Sequence, residues 1–179
     1  MTPEELAFIL GQGLGAVAVI LGFISFQMKT PGRILVFQIV TASLFALHYR
    51  LIGAYPAVWL NLLAVLQCAV YYLLGRRGGA GRLIPCLFVL AAVCASLLTW
   101  SGWYTVLIML GVAVNALGLA LSRAEGIRAV QLVKAPLCLS YNVIVFSIGG
   151  AVYELAVLIS SLIGLVRDRR AARRAKGQF

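Results

Sequence analysis

The sequence predicts an all-α integral membrane protein of seven spanning helices on a 3+1+3 plan: two parallel triple-helix bundles joined by a linker helix. Three observations predict it. Of 179 residues, 63% are hydrophobic and 11% charged, against about 45–50% and about 25% in a soluble domain. Mean hydropathy is +1.02. The apolar residues fall into long continuous runs near the roughly 20 residues that a spanning helix needs. A soluble enzyme, a disordered tail and a secreted disulfide scaffold are excluded. The runs do not alternate apolar with polar, as strands of a membrane barrel would. In lipid their backbone groups must then be satisfied within each segment, which makes them helices.

The runs follow in order at 6–27, 33–51, 56–75, 82–100, 103–121, 127–147 and 150–167. Each break has a cause. A basic turn with Pro31 and Gly32 separates the first two, and Gly53 and Pro56 turn the second into the third. The segment 75–82, with four glycines and three arginines, is the longest polar loop. Ser101 and Gly102 separate the fourth from the fifth, the polar stretch 122–128 leads into the sixth, and Gly149 and Gly150 open the seventh. Loops this short make consecutive helices antiparallel neighbours. The expected units are a first triple-helix bundle (1–79), a linker helix (80–101), a second bundle (102–168) and a basic tail (169–179). Gly11, Gly13 and Gly15 predict close packing of the first helix.

The net charge is +10. In a soluble chain that would suggest nucleic-acid binding, but no motif that recognises DNA or RNA is present. The charges lie between the apolar runs and set orientation instead. Lys29, Arg33, Arg76, Arg77, Arg82, Arg123 and Arg128 fall on one side, with Arg167, Arg169, Arg170, Arg173, Arg174 and Lys176 of the tail. Arg50 alone falls on the other. The positive-inside rule puts the C-terminus in the cytoplasm and, after seven crossings, the N-terminus outside. Trp100, Trp103 and Tyr104 mark the outer interface. The acidic start, with Glu4 and Glu5, is unlike a cleavable signal peptide. Cys68, Cys86, Cys94 and Cys138 lie inside apolar runs without CxxC spacing, so they are expected to be small hydrophobes.

The second and sixth runs are similar at an offset of 93. Ile34 and Ile127, Gln38 and Gln131, Val40 and Val133, Ala42 and Ala135, and Leu44 and Leu137 are identical, and His48 falls on Tyr141. The linker helix inverts the chain, so both halves run the same way. Parallel repeats with a solute site near the midplane are a known carrier plan.

Polar groups inside a span are costly and mark sites or helix contacts. Counted from the basic belt at about 1.5 Å per residue, His48, Asn61, Tyr141, Asn142 and Glu154 all lie about 20–22 Å up. This shared depth predicts a substrate layer. Its mixed donors and acceptors suit a small polar solute. Asn115, about 12 Å up, is a further candidate, in a lower layer with Ser43 and Ser160. Lys134, about 9 Å from the belt, is expected to snorkel towards the interface or to meet Gln38 and Gln131 at an inner gate. Pro136 is a candidate hinge. With one His and no HExxH, Ser/His/Asp set or phosphate loop, no enzyme activity, metal or cofactor is expected.

Three stretches resemble the YgjV-like bacterial inner-membrane proteins: Gln12-Gly-Leu-Gly-Ala, His48-Tyr-Arg-Leu-Ile-Gly-Ala-Tyr-Pro, and Ser147-Ile-Gly-Gly followed by Glu154. That family is distantly similar to the SWEET, SemiSWEET and PQ-loop transporters. The resemblance implies a multi-pass protein of the bacterial cytoplasmic membrane with SWEET-like 3+1+3 architecture. It also implies a site lined by an Asn on the third helix of each repeat and a Trp on the second. Asn61 fills the first role. Ser160 and Ser161 stand where the second Asn is expected, His48 and Tyr141 near the Trp positions, and Phe26-Gln27 keeps only the Gln of the proline-glutamine signature.

The function expected from these readings is a facilitator or uniporter, working by alternating access, for a small polar metabolite, sugars included. The variant on the same fold is a vitamin- or nucleoside-type carrier, and the alternative class is a membrane scaffold or assembly subunit. Proton coupling through His48 or Glu154 belongs to the carrier class. The expected partners are the lipid bilayer and the solute. A monomer suffices, without forbidding an oligomer.

Overall fold

A computed structural model describes residues 2–75, 81, 83–119 and 124–176. Arg76, Arg77, Arg82 and Arg123 of the predicted basic belt lie outside the described residues, as do the side chains of Arg173, Arg174 and Lys176. Among the described residues the fold is seven helices: α1 Pro3–Gln27, α2 Pro31–Leu51, α3 Tyr55–Gly75, α4 Leu83–Leu98, α5 Thr105–Leu119, α6 Ala124–Ile144 and α7 Ile148–Lys176. Stretches in α1, α2, α3 and α7 are long and apolar enough to cross a membrane.

Between α4 and α5, where the sequence runs the fourth span to 100 and begins the fifth at 103, residues 99–104 form a hydrogen-bonded turn. Thr105 N–H donates to Gly102 O (2.9 Å), and the Tyr104 hydroxyl donates to Ser101 O (2.9 Å). α7 runs through the basic tail to Lys176. The Thr2 side chain caps α1 by accepting from Glu5 N–H (3.2 Å), while the Glu5 carboxylate accepts from Thr2 N–H (2.8 Å), a capping box.

The offset of 93 reappears in the elements. Leu51 and Ile144, which end α2 and α6, stand 93 apart, as do Tyr55 and Ile148, which start α3 and α7. The turns correspond too. Ala54 N–H donates to Tyr49 O and Ser147 N–H to Asn142 O, each at 2.9 Å, the long bond of a Schellman cap. Each cap places one residue in the left-handed region, Gly53 (φ 78°) and Phe146 (φ 53°). Glycine takes that conformation freely, whereas for Phe it costs about 1–2 kcal/mol.

Packing runs in a ring. α1 packs on α2 and α2 on α3; α5 packs on α6 and α6 on α7. A broad α1–α7 contact and a narrow α3–α5 contact close the ring, and α4 lies outside against α3 and α5. The surface is inside-out relative to a soluble protein. Leu66, Leu83, Leu90, Leu97 and Ile20 are exposed, while Gln38, Thr41, Gln67, Gln131 and Glu154 are buried. Lipid explains this sorting, because tails solvate leucine and cannot hydrogen-bond an amide.

The α1–α7 crossing is built on glycine. A Cβ placed on Gly15 would stand 3.0 Å from Gly149 Cα, and one on Gly149 only 2.8 Å from Gly15 Cα. Small residues at such crossings let backbones touch. Gly13 meets nothing within 4 Å and plays no part in it. Gly11 packs against Leu51 and Ile52.

Candidate solute site

A partly open cavity of about 70 Å³ lies within the ring. One ordered water needs roughly 10–15 Å³, and drug-sized pockets run to about 300–1,000 Å³. The space is therefore suited to waters or a very small solute. Two walls face each other. Thr41, Phe45 and Tyr49 of α2 with Asn61 of α3 make one; Lys134, Cys138 and Asn142 of α6 with Glu154 of α7 make the other. These residues pair at the same offset: 41 with 134, 45 with 138, 49 with 142, and 61 with 154. Two stacked turns of α2, 41 to 45 to 49, bring its three members to one face.

The wall chemistry is unequal. Lys134 Nζ is 3.3 Å from Glu154 Oε1, with 15% and 6% of the two side chains exposed. The same ammonium lies 5.7 Å from the centre of the Tyr153 ring. Gly22 leaves the room on α1 into which that ring fits. On the neutral wall, Asn61 Nδ2 donates to Ala57 O of its own helix (2.8 Å). Thr41 Oγ1 and Glu154 Oε2 are buried without a hydrogen-bond partner, on residues that line the cavity from its two sides.

At the end nearest the α2–α3 and α6–α7 turns, bonded pairs close the cavity. The Tyr49 hydroxyl donates to Asn142 Oδ1 (2.5 Å). Above them His48 is fully buried and bound on both ring nitrogens. A carbonyl only accepts, so Nδ1–H donates to Gly11 O (2.7 Å). Nε2 stands 2.8 Å from Ser147 Oγ, whose proton it accepts when the ring is uncharged. Ser147 Oγ in turn accepts from Gly150 N–H (3.1 Å). His48 thus ties α1, α2 and the α6–α7 turn. Gln12 adds to the tie by accepting from Gly149 N–H (3.1 Å) and donating to Phe146 O (3.4 Å).

At the opposite end amides close the cavity. Gln131 Nε2 donates to Asn115 Oδ1 (3.0 Å), and Asn115 Nδ2 donates to Gln67 Oε1 (3.2 Å). This chain links α6, α5 and α3. Gln38 Oε1 accepts from the Cys68 thiol (3.6 Å). Further along the same end Gln27 Nε2 donates to Ser160 Oγ (2.6 Å). Arg128 is buried, paired with Asp168, and donates to Met28 O (2.9 Å). Gly164 leaves room for its guanidinium.

The cavity gathers Asn61, Asn142 and Glu154 from the expected substrate layer, Asn115 from the lower layer, and Lys134 and Gln38 from the expected gate. His48 and Tyr141 are buried beside it and do not line it. Gln131 sits one bond behind Asn115, and Pro136 is exposed on the outer face of an uninterrupted α6. Lys134 does not snorkel. Depth counting located its Cα and ignored a four-carbon stem long enough to reach past a helical turn, and the stem turns towards Glu154. Glu154 is 5% exposed, held inside by that contact. Arg128, read as an interface charge, is turned inward by Asp168. Thr41, Tyr49 and Gln67 were missed. The offset of 93 was the signal that pointed to the first two, since it places them opposite Lys134 and Asn142. It also places Glu154, and not Ser160 or Ser161, opposite Asn61.

The family model described as Imp-YgjV, bacterial inner membrane protein, matches residues 9–172. No curated protein and no solved structure matches.

Proposed function

Because the chain belongs to the Imp-YgjV family of bacterial inner membrane proteins, we propose that it is a facilitator that carries a small polar solute across that membrane by alternating access. One observation carries the reading: a polar cavity between the two halves of the chain, lined from both and holding unpartnered polar atoms. The halves, 1–79 and 102–168, are two triple-helix bundles with all seven helices crossing, and α4 is the linker. Matching bounds and matching caps at an offset of 93 support this repeat. So does the ring, in which α1 against α7 corresponds to α5 against α3. Thirteen basic residues against Arg50 support a cytoplasmic C-terminus. The Tyr49–Asn142 pair then closes the outer side and the Gln67–Asn115–Gln131 chain the inner side. Rocking of the bundles breaks one closure while keeping the other. SWEET-like descent remains part of the proposal and rests on the plan, not on a shared sugar site.

The self-bonded layer around His48 favours the scaffold reading for that layer alone, since a tie of this kind needs no solute. The unmet groups on Thr41 and Glu154 favour a carrier.

Native Cys138 on the cavity wall supplies the test. In a variant with Cys68, which also lines the cavity, and exposed Cys86 and Cys94 replaced by Ala, a small water-soluble thiol reagent is expected to modify Cys138 in inside-out and in right-side-out vesicles alike. Proteoliposomes should take up at least one solute from a panel of amino acids, sugars, polyols, nucleosides and vitamins. Cys138 inert from both sides, with no flux across the panel, overturns the carrier reading.

A further inference from the structure

Lys134 and Glu154 are the charged residues of the cavity wall. Their counterparts across the cavity, Thr41 and Asn61, are neutral hydrogen-bonding groups at corresponding places. A neutral solute is served by groups of the second kind. Charges inside a membrane are costly, so a wall that carries a pair of them is matched to charges on what it binds.

The pair is held loosely. Its 3.3 Å separation exceeds the roughly 2.7–2.9 Å of a strong charge-assisted bond. Glu154 Oε2 lacks a hydrogen-bond partner. Lys134 offers three protons and has one carboxylate oxygen and the Tyr153 ring beside it. The pair therefore leaves hydrogen-bonding capacity unused on both ions, which belong to residues of the cavity wall.

Charge balance selects the ligand class. A lone cation that captured Glu154 would leave Lys134 unpaired in a buried site, and a lone anion on Lys134 would strand Glu154. Either outcome is strongly unfavourable. A molecule with both charges inserts between the two and leaves neither unpaired. Ala42, Ala64 and Val112 supply the adjoining apolar surface, and the 70 Å³ space limits what else the molecule carries. We infer that the solute is a small zwitterion of the α-amino acid class with a short aliphatic side chain. Its carboxylate meets Lys134 Nζ and its ammonium meets Glu154. This inference rests on the carrier reading of the same cavity.

The probe is L-alanine, with three analogues that each lose charge: L-alaninamide keeps the ammonium, L-lactate the carboxylate, and lactamide neither. Binding to the purified full chain is measured by calorimetry and by thermal stabilisation, and uptake in proteoliposomes. L-alanine is expected to bind and to enter. Each singly charged analogue is expected to bind at least about tenfold more weakly, because it leaves one wall group unpaired. Single removal of either wall charge risks misfolding, so the variant is the double Lys134→Met/Glu154→Gln, which should stay folded and lose L-alanine binding.

Lactamide or a sugar binding as well as L-alanine overturns the inference, as does a double variant that binds L-alanine like the parent. Uptake of a neutral solute without L-alanine binding overturns the zwitterion and spares the carrier. L-alanine binding without uptake supports the zwitterion site and overturns the carrier. If nothing binds and nothing enters, both fall.

Discussion

His48 and Asn61 were placed in one substrate layer by depth, yet they do different work. His48 is fully buried with both ring nitrogens bonded across three elements. Asn61 touches the cavity and donates an amide proton to its own helix. His48→Ala is therefore expected to lower the unfolding midpoint in detergent by several degrees, at about 1–3 kcal/mol for the group it leaves unsatisfied. Asn61→Ala should leave the midpoint within about 0.5 kcal/mol of the parent. Equal midpoints for the two variants would place His48 on solvent and not in a tie. Depth along an axis was legible in the sequence, because rise per residue is fixed. Azimuth and side-chain reach were not, so depth alone leaves Lys134 either at the interface or at an inner gate, and does not say whether His48 lines the cavity or lies beside it. A residue count locates a Cα, and function belongs to the end of the side chain.

Element boundaries were legible wherever glycine, proline or charge interrupts an apolar run. The run ends at 27, 51 and 75 coincide with the ends of α1, α2 and α3. They were poorly legible at 98–105, where Thr, Ser and Trp fit a turn or a span equally well. The ring of helices was not legible, since nothing in one amphipathically weak helix says which neighbour it meets. The glycines show the same limit. Gly11, Gly13 and Gly15 look alike in sequence, yet Gly15 meets the backbone of α7, Gly11 packs against the end of α2, and Gly13 meets nothing within 4 Å. Gly15→Val is expected to weaken the α1–α7 contact, with a loss of roughly 1–3 kcal/mol typical of overpacking. Gly13→Val points its branch into open space and should change stability only by the small helix-propensity difference, which favours Val over Gly. Thermal midpoints of the two variants, side by side, check this, and a larger loss at Gly13 would mean that α1 is rotated.

At the scale of the whole molecule, the composition made membrane residence plain, and the family of bacterial inner membrane proteins agrees with it. The distribution of Lys and Arg carries the proposed orientation. If the C-terminus is in the cytoplasm and the N-terminus outside, as proposed, a C-terminal fluorescent reporter that matures only in the cytoplasm should be bright, and an N-terminal one dark. The reverse pattern would exchange the outer and inner closures assigned to Tyr49–Asn142 and Gln67–Asn115–Gln131. The cavity, its walls and its charge pair would be unchanged by that reversal.

The charge pair has an electrical consequence. Lys134 and Glu154 lie on adjacent helices of one half, so a rocking bundle moves both together. A unit charge crossing the whole membrane voltage exchanges about 2.3 kcal/mol per 100 mV with it. A positive and a negative charge displaced side by side exchange almost nothing, and a net-neutral cargo adds nothing. Transport through this cavity should thus be electroneutral, with initial rates unaltered when valinomycin and a potassium gradient impose a voltage on the vesicles. The cell would then move this solute by its concentration ratio alone, whatever the energisation of the membrane.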